Sequence, residues 1–440
     1  MVKSSAKRSN LNFFFFDIYK YLSNLINISM NDKTTIIGNS AGNVFGGGDT
    51  AATPENTQEI ANEETDQGID MDNIYGDYDA DIGDIMIPPP VKKKVEIKDK
   101  FEGGYKFAFI GAGQGGSRIA ETFYKIGYGR VCAINTAQQD LDTVNLPRKL
   151  NIGGGGAGKN PKVGERIYDE RKEDVLDFMK KSFGEDVDRI MVCAGGGGGT
   201  GAGTFAGLVK TAYELQRTLG ITTNKVGGIL ALPKRSEGSK VNENAYKTLQ
   251  QAWSLVEEGI LSPLILIDNE KISSVYPGLA VDRFWQTANL STCSLFHLFN
   301  TIVNKQSHYS SFDAADYQTV LDSGLMVLGA TNITEWKDET DISYAVRDNL
   351  KQNILAGGID LSTGDKAAAC IIGSQEVLND IPQDFLDYAF EQFIRLLQPN
   401  STVHRGIYRG SKPGLNVFTT VGGIGKPNGK LDDLKRLGNI

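Results

Sequence analysis

Cysteine is scarce in these 440 residues. Cys132, Cys193, Cys293 and Cys370 lie far apart, with no CxxC pair among them. That spacing excludes a disulfide framework and a thiolate zinc site; Cys132 and Cys193, inside apolar runs, read as buried reduced thiols. Histidine is scarcer: His297, His308 and His404 are too few and too scattered for a metal centre, so no protein-held metal is expected. No apolar run reaches the ~20 residues that a membrane-crossing helix needs. Residues 11–28, LNFFFFDIYKYLSNLINI, come nearest, but Asp17 and Lys20 interrupt them and no small-residue cleavage site follows. Residues 1–29 read equally as AT-rich leader that is not translated, with Met30 as the start. Basic charge is also short. The net charge of -8 leaves no broad basic face, so direct nucleic-acid binding is not expected.

Hydrophobic residues at 40% and charged residues at 23% fit a globular chain, and the length suits more than one domain. The first hundred residues stand apart. From Ala51 to Pro90 there are eleven acidic residues and no Lys or Arg. Such a stretch repels itself and buries little, so residues 1–100 are expected to be a disordered acidic extension. Order is expected from about Gly104. YKFAFIGAG, GRVCAINTA, DRIMVCAGG, VGGILALP and SPLILIDN read as buried strands alternating with amphipathic helices, the pattern of a parallel sheet covered on both faces. A long helix is expected over 285–306, with Trp285, Ala288, Leu295, Phe299, Ile302 and Val303 on its inner face. A smaller α/β region follows over 307–425, with strands in GLMVLGAT, AAACIIGS and LNVFTTVGG. Residues 426–440 read as a flexible tail.

Three glycine-rich loops carry the chemistry. Gly111, Gly113, Gln114, Gly115 and Gly116 lie in a GxGxxG turn between a strand and a helix, which by itself suggests a dinucleotide site. That reading needs an acid at the end of the second strand, where Asn135 stands and Asp140 is displaced. Residues 153–160, GGGGAGKN, nearly satisfy the Walker pattern, but Asn160 replaces the metal-binding hydroxyl and Pro161 follows. The third loop, AGGGGGTGAGT at 194–204, can turn consecutive N–H groups and a helix N-terminus toward an anion. Three such loops at one edge of one sheet read as a large phosphate cradle.

Gly197-Gly198-Gly199-Thr200-Gly201-Ala202-Gly203 resembles the GGGTG[AST]G signature of the tubulin/FtsZ superfamily. GAGQGGS at 111–117 and the Asn135-Thr136 turn resemble that family's first phosphate loop and NTD-like turn. Residues 153–164, with Gly156, Ala157, Gly158 and Asn160, are similar to its terminal-phosphate loop. Pro233 with Glu237-Gly238 resembles its ribose loop, and Asn269 its strand-end asparagine near the base. Trp285 and Asn289 have the spacing of its stacking aromatic and base asparagine, with Phe284 a competing aromatic. The resemblance implies an α/β fold: a Rossmann-like GTPase domain (104–284), a central helix (285–306) and an activation domain (307–425). It also implies GTP or GDP with Mg2+ as ligands.

Asp313 and Asp316 match the two acidic positions of the family's catalytic loop, which completes the site of the next subunit. The resemblance therefore implies a GTPase that polymerises with itself head to tail into filaments positioning or segregating DNA or phage particles. Adaptors or cargo would attach through either tail, in the cytoplasm. Asp313 and Asp316 read by themselves as helix caps. Two departures from the FtsZ branch, Val241 in place of an arginine and Ser311 in place of an asparagine, point to a plasmid- or phage-type relative. Two rival readings stand beside this one: a nucleotide-binding filament or adaptor with little hydrolysis, and an NAD-dependent dehydrogenase.

Overall fold

The computed structural model describes residues 97–440, except 353–355 and 412–413. The acidic extension and the leader within it lie outside the described residues, save for the last few positions. Those few are not loose. Asp99 accepts a hydrogen bond from the Gly129 amide at 2.7 Å, and Phe101 packs edge-on against Tyr128 at 4.7 Å. Order thus begins before Gly104, because this segment covers apolar rings that would otherwise face water.

Strands β1 (Phe107–Ala112), β2 (Val131–Asn135), β3 (Lys149–Asn151), β4 (Arg189–Gly195), β5 (Val226–Leu232), β6 (Leu261–Asp268) and β7 (Leu325–Ile333) run parallel in the order 3-2-1-4-5-6-7. The sheet continues with β8 (Lys366–Gly373), β9 (Thr402–Arg409) and β10 (Leu415–Ile424), in the order 7-10-8-9. There β10 is antiparallel to both neighbours, so the second region has a mixed sheet.

The helices are α1 (Gly113–Ile126), α2 (Gln138–Asp142), α3 (Pro161–Glu170), α4 (Lys172–Phe183), α5 (Thr200–Thr218), α6 (Ser239–Glu257), α7 (Asn269–Val275), α8 (Val281–Ile302), α9 (Ala314–Leu321), α10 (Glu339–Gln352), α11 (Gln375–Asp380), α12 (Gln383–Ile394) and α13 (Asn428–Gly438). The central helix α8 starts four residues before the expected Trp285. None of the helices among the described residues is long and apolar enough to cross a membrane.

Strand side chains alternate between two apolar layers. Ala108, Ile110, Ile190 and Val192 join Tyr168, Met179, Phe205 and Leu208 of α3 to α5 on one face. Phe107, Phe109, Met191 and Cys193 join Phe123 of α1 and Phe296 and Phe299 of α8 on the other. Both faces are covered, which is why β1, β2 and β4 are nearly continuous apolar runs. All four cysteines are free and buried; burial pushes the Cys132 thiol up to about 12.

The expected flexible tail is instead a helix. Leu431 and Leu434 of α13 are buried at 5% and 3% exposure. Their i, i+3 spacing gives the helix one apolar stripe, and burying that stripe supplies what a free tail lacks.

Candidate functional site

The glycine loops leave the carboxyl ends of β1 and β4 and enter α1 and α5 directly. Neither helix has a side-chain N-cap, and neither has an acidic residue in its first turn. Two uncapped N-termini with their free N–H groups thus lie side by side, a strong anion-attracting arrangement.

Their glycines fall into two kinds. A Cβ on Gly116 would stand 2.1 Å from the Cys193 carbonyl oxygen; one on Gly201 would stand 2.7 Å from that of Gly195. One on Gly199 would reach Ala157 Cβ at 2.7 Å, and one on Gly113 (φ +67°) the Gly201 nitrogen at 2.8 Å. These glycines let the loops interlock. Gly198 is different: it is exposed, and the nearest atom to its missing Cβ is 4.0 Å away. Gln114, Gly115, Gly158 and Asn160 are likewise exposed, beside the half-buried Gly156. Backbone facing open space there is available to a ligand.

The remaining loops are fastened to this pair. Thr136 and Thr200 share a 2.6 Å hydroxyl contact, and the Gly156 amide donates to the Thr136 carbonyl at 3.0 Å. Asn135 receives the Ala137 amide at 3.2 Å and donates to Asp140 at 3.2 Å. Asn160 caps α3 by accepting from the Lys162 amide. Two residues absent from the sequence reading tie the loops from behind. Asn244 of α6 donates to the carbonyls of Lys159 (2.9 Å) and Gly197 (3.1 Å), and Thr248 donates to that of Gly196 (3.0 Å). Their i, i+4 spacing was the available signal. Two buried hydroxyls, Ser117 Oγ and Thr204 Oγ1, lack any protein partner. Buried polar atoms of that kind ask for a ligand or water.

The rim continues along β5 and β6. Glu237 is exposed, its carboxylate accepting from the Lys234 amide at 2.8 Å. Val241, at the departure from the arginine pattern, is buried against Gly197: a Cβ there would meet Val241 Cγ1 at 2.4 Å. Asn269, at the head of α7, and Asn289, on α8, are 4% and 8% exposed. Trp285 lies one turn before Asn289 and is partly buried, edge-on to Phe284 at 5.2 Å. Phe284 is the more buried ring, and Lys234 Nζ sits 3.4 Å over its face.

Asp313 and Asp316 lie elsewhere. α8 begins beside the carboxyl end of β6 and runs back along the sheet; its 22 residues span about 33 Å at 1.5 Å each. Near its far end Asn300 bonds Tyr105, which precedes β1, at 2.9 Å. Tyr105 Oη donates to the Ala314 carbonyl at 2.6 Å. The acidic loop is therefore at the amino edge of the strands, opposite the glycine loops.

There the two aspartates form a capping box. Asp313 Oδ1 accepts from the Asp316 amide at 2.9 Å, and Asp316 Oδ2 accepts from the Asp313 amide at 3.3 Å. Asp316 Oδ1 also meets His404 Nδ1 at 2.8 Å, and His404 Nε2 meets Thr319 Oγ1 at 3.0 Å. Both oxygens of Asp316 are engaged, whereas exposed Asp313 keeps one outside the cap. His404 is a third residue that sequence reasoning missed, because β9 lies almost ninety residues downstream of the aspartates.

Comparison with known proteins bears on this geometry. Residues 106–277 match the model of the tubulin/FtsZ family, GTPase domain. A tubulin-like protein TubZ of Bacillus cereus is 26% identical over 308 residues, covering 63% of this chain and 68% of that protein. A cell division protein FtsZ of Aquifex aeolicus is 29% identical over 315 residues, covering 69% and 78%. Among solved structures, a GTPγS-form protofilament of TubZ from Bacillus thuringiensis serovar israelensis superposes with a TM-score of 0.66 at 18% identity, over 77% of this chain and 92% of that one. This last likeness is one of fold.

Proposed function

The chain is a member of the tubulin/FtsZ family and a GTPase, and from that premise we propose that it polymerises head to tail, each active site being completed by the next copy. One observation carries the proposal: the glycine loops and the acidic loop stand at opposite ends of one sheet. A subunit cannot bring its own Asp313 to its own nucleotide. A second copy stacked in the same orientation can, and such a heterologous contact repeats without closing.

In this reading the free amides of Gln114, Gly115, Gly198, Gly199 and Thr200 face the phosphates, with Ser117 and Thr204 beneath them. Gly156, Ala157 and Gly158 close the cradle on the terminal-phosphate side. Glu237 takes the ribose, Trp285 stacks on the base, and Asn269 and Asn289 read its edge. Asp313 of the adjoining copy holds and polarises a water for in-line attack on the terminal phosphorus. The water oxygen bonds to phosphorus, the bond to the leaving diphosphate oxygen breaks, and the water proton leaves through the carboxylate. Asp316, held by His404 and the cap, fixes the approach.

No cluster of three or more His, Cys, Asp or Glu suited to a metal ion forms among the described residues. Mg2+ would thus be held chiefly by the nucleotide and water, neutralising charge on the phosphate oxygens. Val241 and Ser311 support a filament that positions or segregates DNA or phage particles rather than a division ring. The family match sets the dehydrogenase aside. The commitment of three of the four aspartate oxygens to hydrogen bonds favours, as the second reading, a filament that hydrolyses little.

Phosphate release against protein concentration, with GTP and with ATP and with pelleting of the same samples, tests this. A GTP-selective rate rising above a threshold shared with sedimentable polymer is expected. A rate per molecule independent of concentration overturns the shared site, and polymer without turnover selects the second reading.

A further inference from the structure

Asp268 ends β6 one residue before Asn269 and is 1% exposed. Its Oδ1 accepts the amides of Glu270 (3.1 Å) and Lys271 (3.2 Å) at the head of α7. Its Oδ2 accepts the Gly357 amide at 3.0 Å and is paired with Nζ of Lys430, on α13. The Lys430 side chain is itself only 10% exposed. One buried carboxylate therefore joins three segments far apart in the chain.

The joint is tight. Gly358 has φ +70°, and a Cβ on it would lie 2.6 Å from the Lys430 nitrogen. The other end of α13 reaches the opposite rim: Asn439 Nδ2 donates to Ser239 Oγ at 3.0 Å, two residues beyond Glu237. The helix thus spans from the loop assigned to the ribose to the residue assigned to the base.

We propose that α13 is a latch on the nucleotide site, in which Lys430, acting through Asp268, is a positioning residue for Asn269. The inference rests on the reading of Asn269 as a base contact. Without the ammonium group, a buried carboxylate would face only amides and would have to recruit water or shift. A shift of Asp268 moves the head of α7, and Asn269 moves with it. Linkage makes the effect reciprocal: nucleotide that favours the present position of Asn269 also favours docked α13.

The test is GDP binding by the full chain with Mg2+, below the assembly threshold. Lys430→Met should weaken GDP binding about tenfold, within the usual range of coupled sites, and Lys430→Arg should restore most of the loss. In an Asp268→Asn background, Lys430→Met should add nothing. Unchanged GDP affinity in Lys430→Met, or an equal loss in both backgrounds, overturns the proposal. If Lys430→Met does not fold, hydrogen exchange of wild-type residues 428–438 decides: slower exchange with GDP supports the latch, and equal exchange overturns it. Asn269→Ala separates the two levels. If that change leaves GDP binding intact, the base assignment falls and the latch with it; if it weakens GDP while Lys430→Met does not, the latch alone falls.

Discussion

Two alanine substitutions in the glycine loops should have opposite signatures. In Gly116→Ala the new methyl would stand 2.1 Å from the Cys193 carbonyl oxygen and 2.9 Å from Ala194 Cα, both rigid backbone of β4. Nothing flexible can move aside, so either α1 or β4 must shift. Overpacking of this kind costs about 1–3 kcal/mol, and a backbone clash belongs at the upper end. At 2–4 °C per kcal/mol for a domain of this class, the midpoint should fall by roughly 6–12 °C. In Gly198→Ala the nearest atom is 4.0 Å away and φ is not in the left-handed region. That change should leave the melting temperature within a degree or two, or raise it slightly by restricting the unfolded chain. Its methyl would occupy the space assigned to phosphate, so GTP affinity should fall at least tenfold. Thermal melts and titration with a fluorescent GTP analogue read both quantities. Unchanged GTP binding in Gly198→Ala, or wild-type stability in Gly116→Ala, would refute the division of the glycines.

Two further outcomes are expected. His404→Ala removes the partner of Asp316 Oδ1 at the edge opposite the glycine loops; it should lower turnover per polymerised subunit severalfold while leaving GTP affinity of the unassembled protein unchanged. His297 is buried between Phe101 and Tyr128, and desolvation holds it down to about 3. Its folded form is neutral, so the stability it lends is complete above its unfolded value near 6.5 and is lost as pH falls toward 3. Between pH 7.5 and pH 5 the loss should be about 2 kcal/mol, read from urea midpoints and absent in a His297→Gln variant.

The sheet and the edge where the glycine loops gather were legible because the turns after β1 and β4 each follow an apolar strand and precede a helix, a purely local signal. The division of labour among the glycines was not legible. Gly116 serves β4 and Gly201 serves the turn of Gly195, and such partners are set by tertiary approach rather than by neighbours in sequence. β9 escaped notice because TVHRGIYR is an edge strand with polar and exposed positions, lacking the apolar run that marked its neighbours. α13 escaped for a related reason: KLDDLKRL carries only two apolar positions that matter, and their partner surface is on α6. The aspartates were singled out by the resemblance to the family's catalytic loop, but only the hydrogen bonds distinguish them. Asp313 is the N-cap with an oxygen to spare, and Asp316 is fully occupied.

The central claim is that nucleotide and acidic loop come from different copies, and mixing two disabled variants tests it most directly. Asp313→Ala keeps the glycine loops and lacks the water-positioning carboxylate; Gly198→Ala keeps the acidic loop and binds GTP poorly. Each alone should release little phosphate at micromolar GTP. Mixed in equal amounts, they should regain activity wherever the acidic loop of one meets the loaded site of the other, well above the sum of the separate rates. A mixture no faster than that sum, with both variants folded and associating, would contradict a site built between subunits.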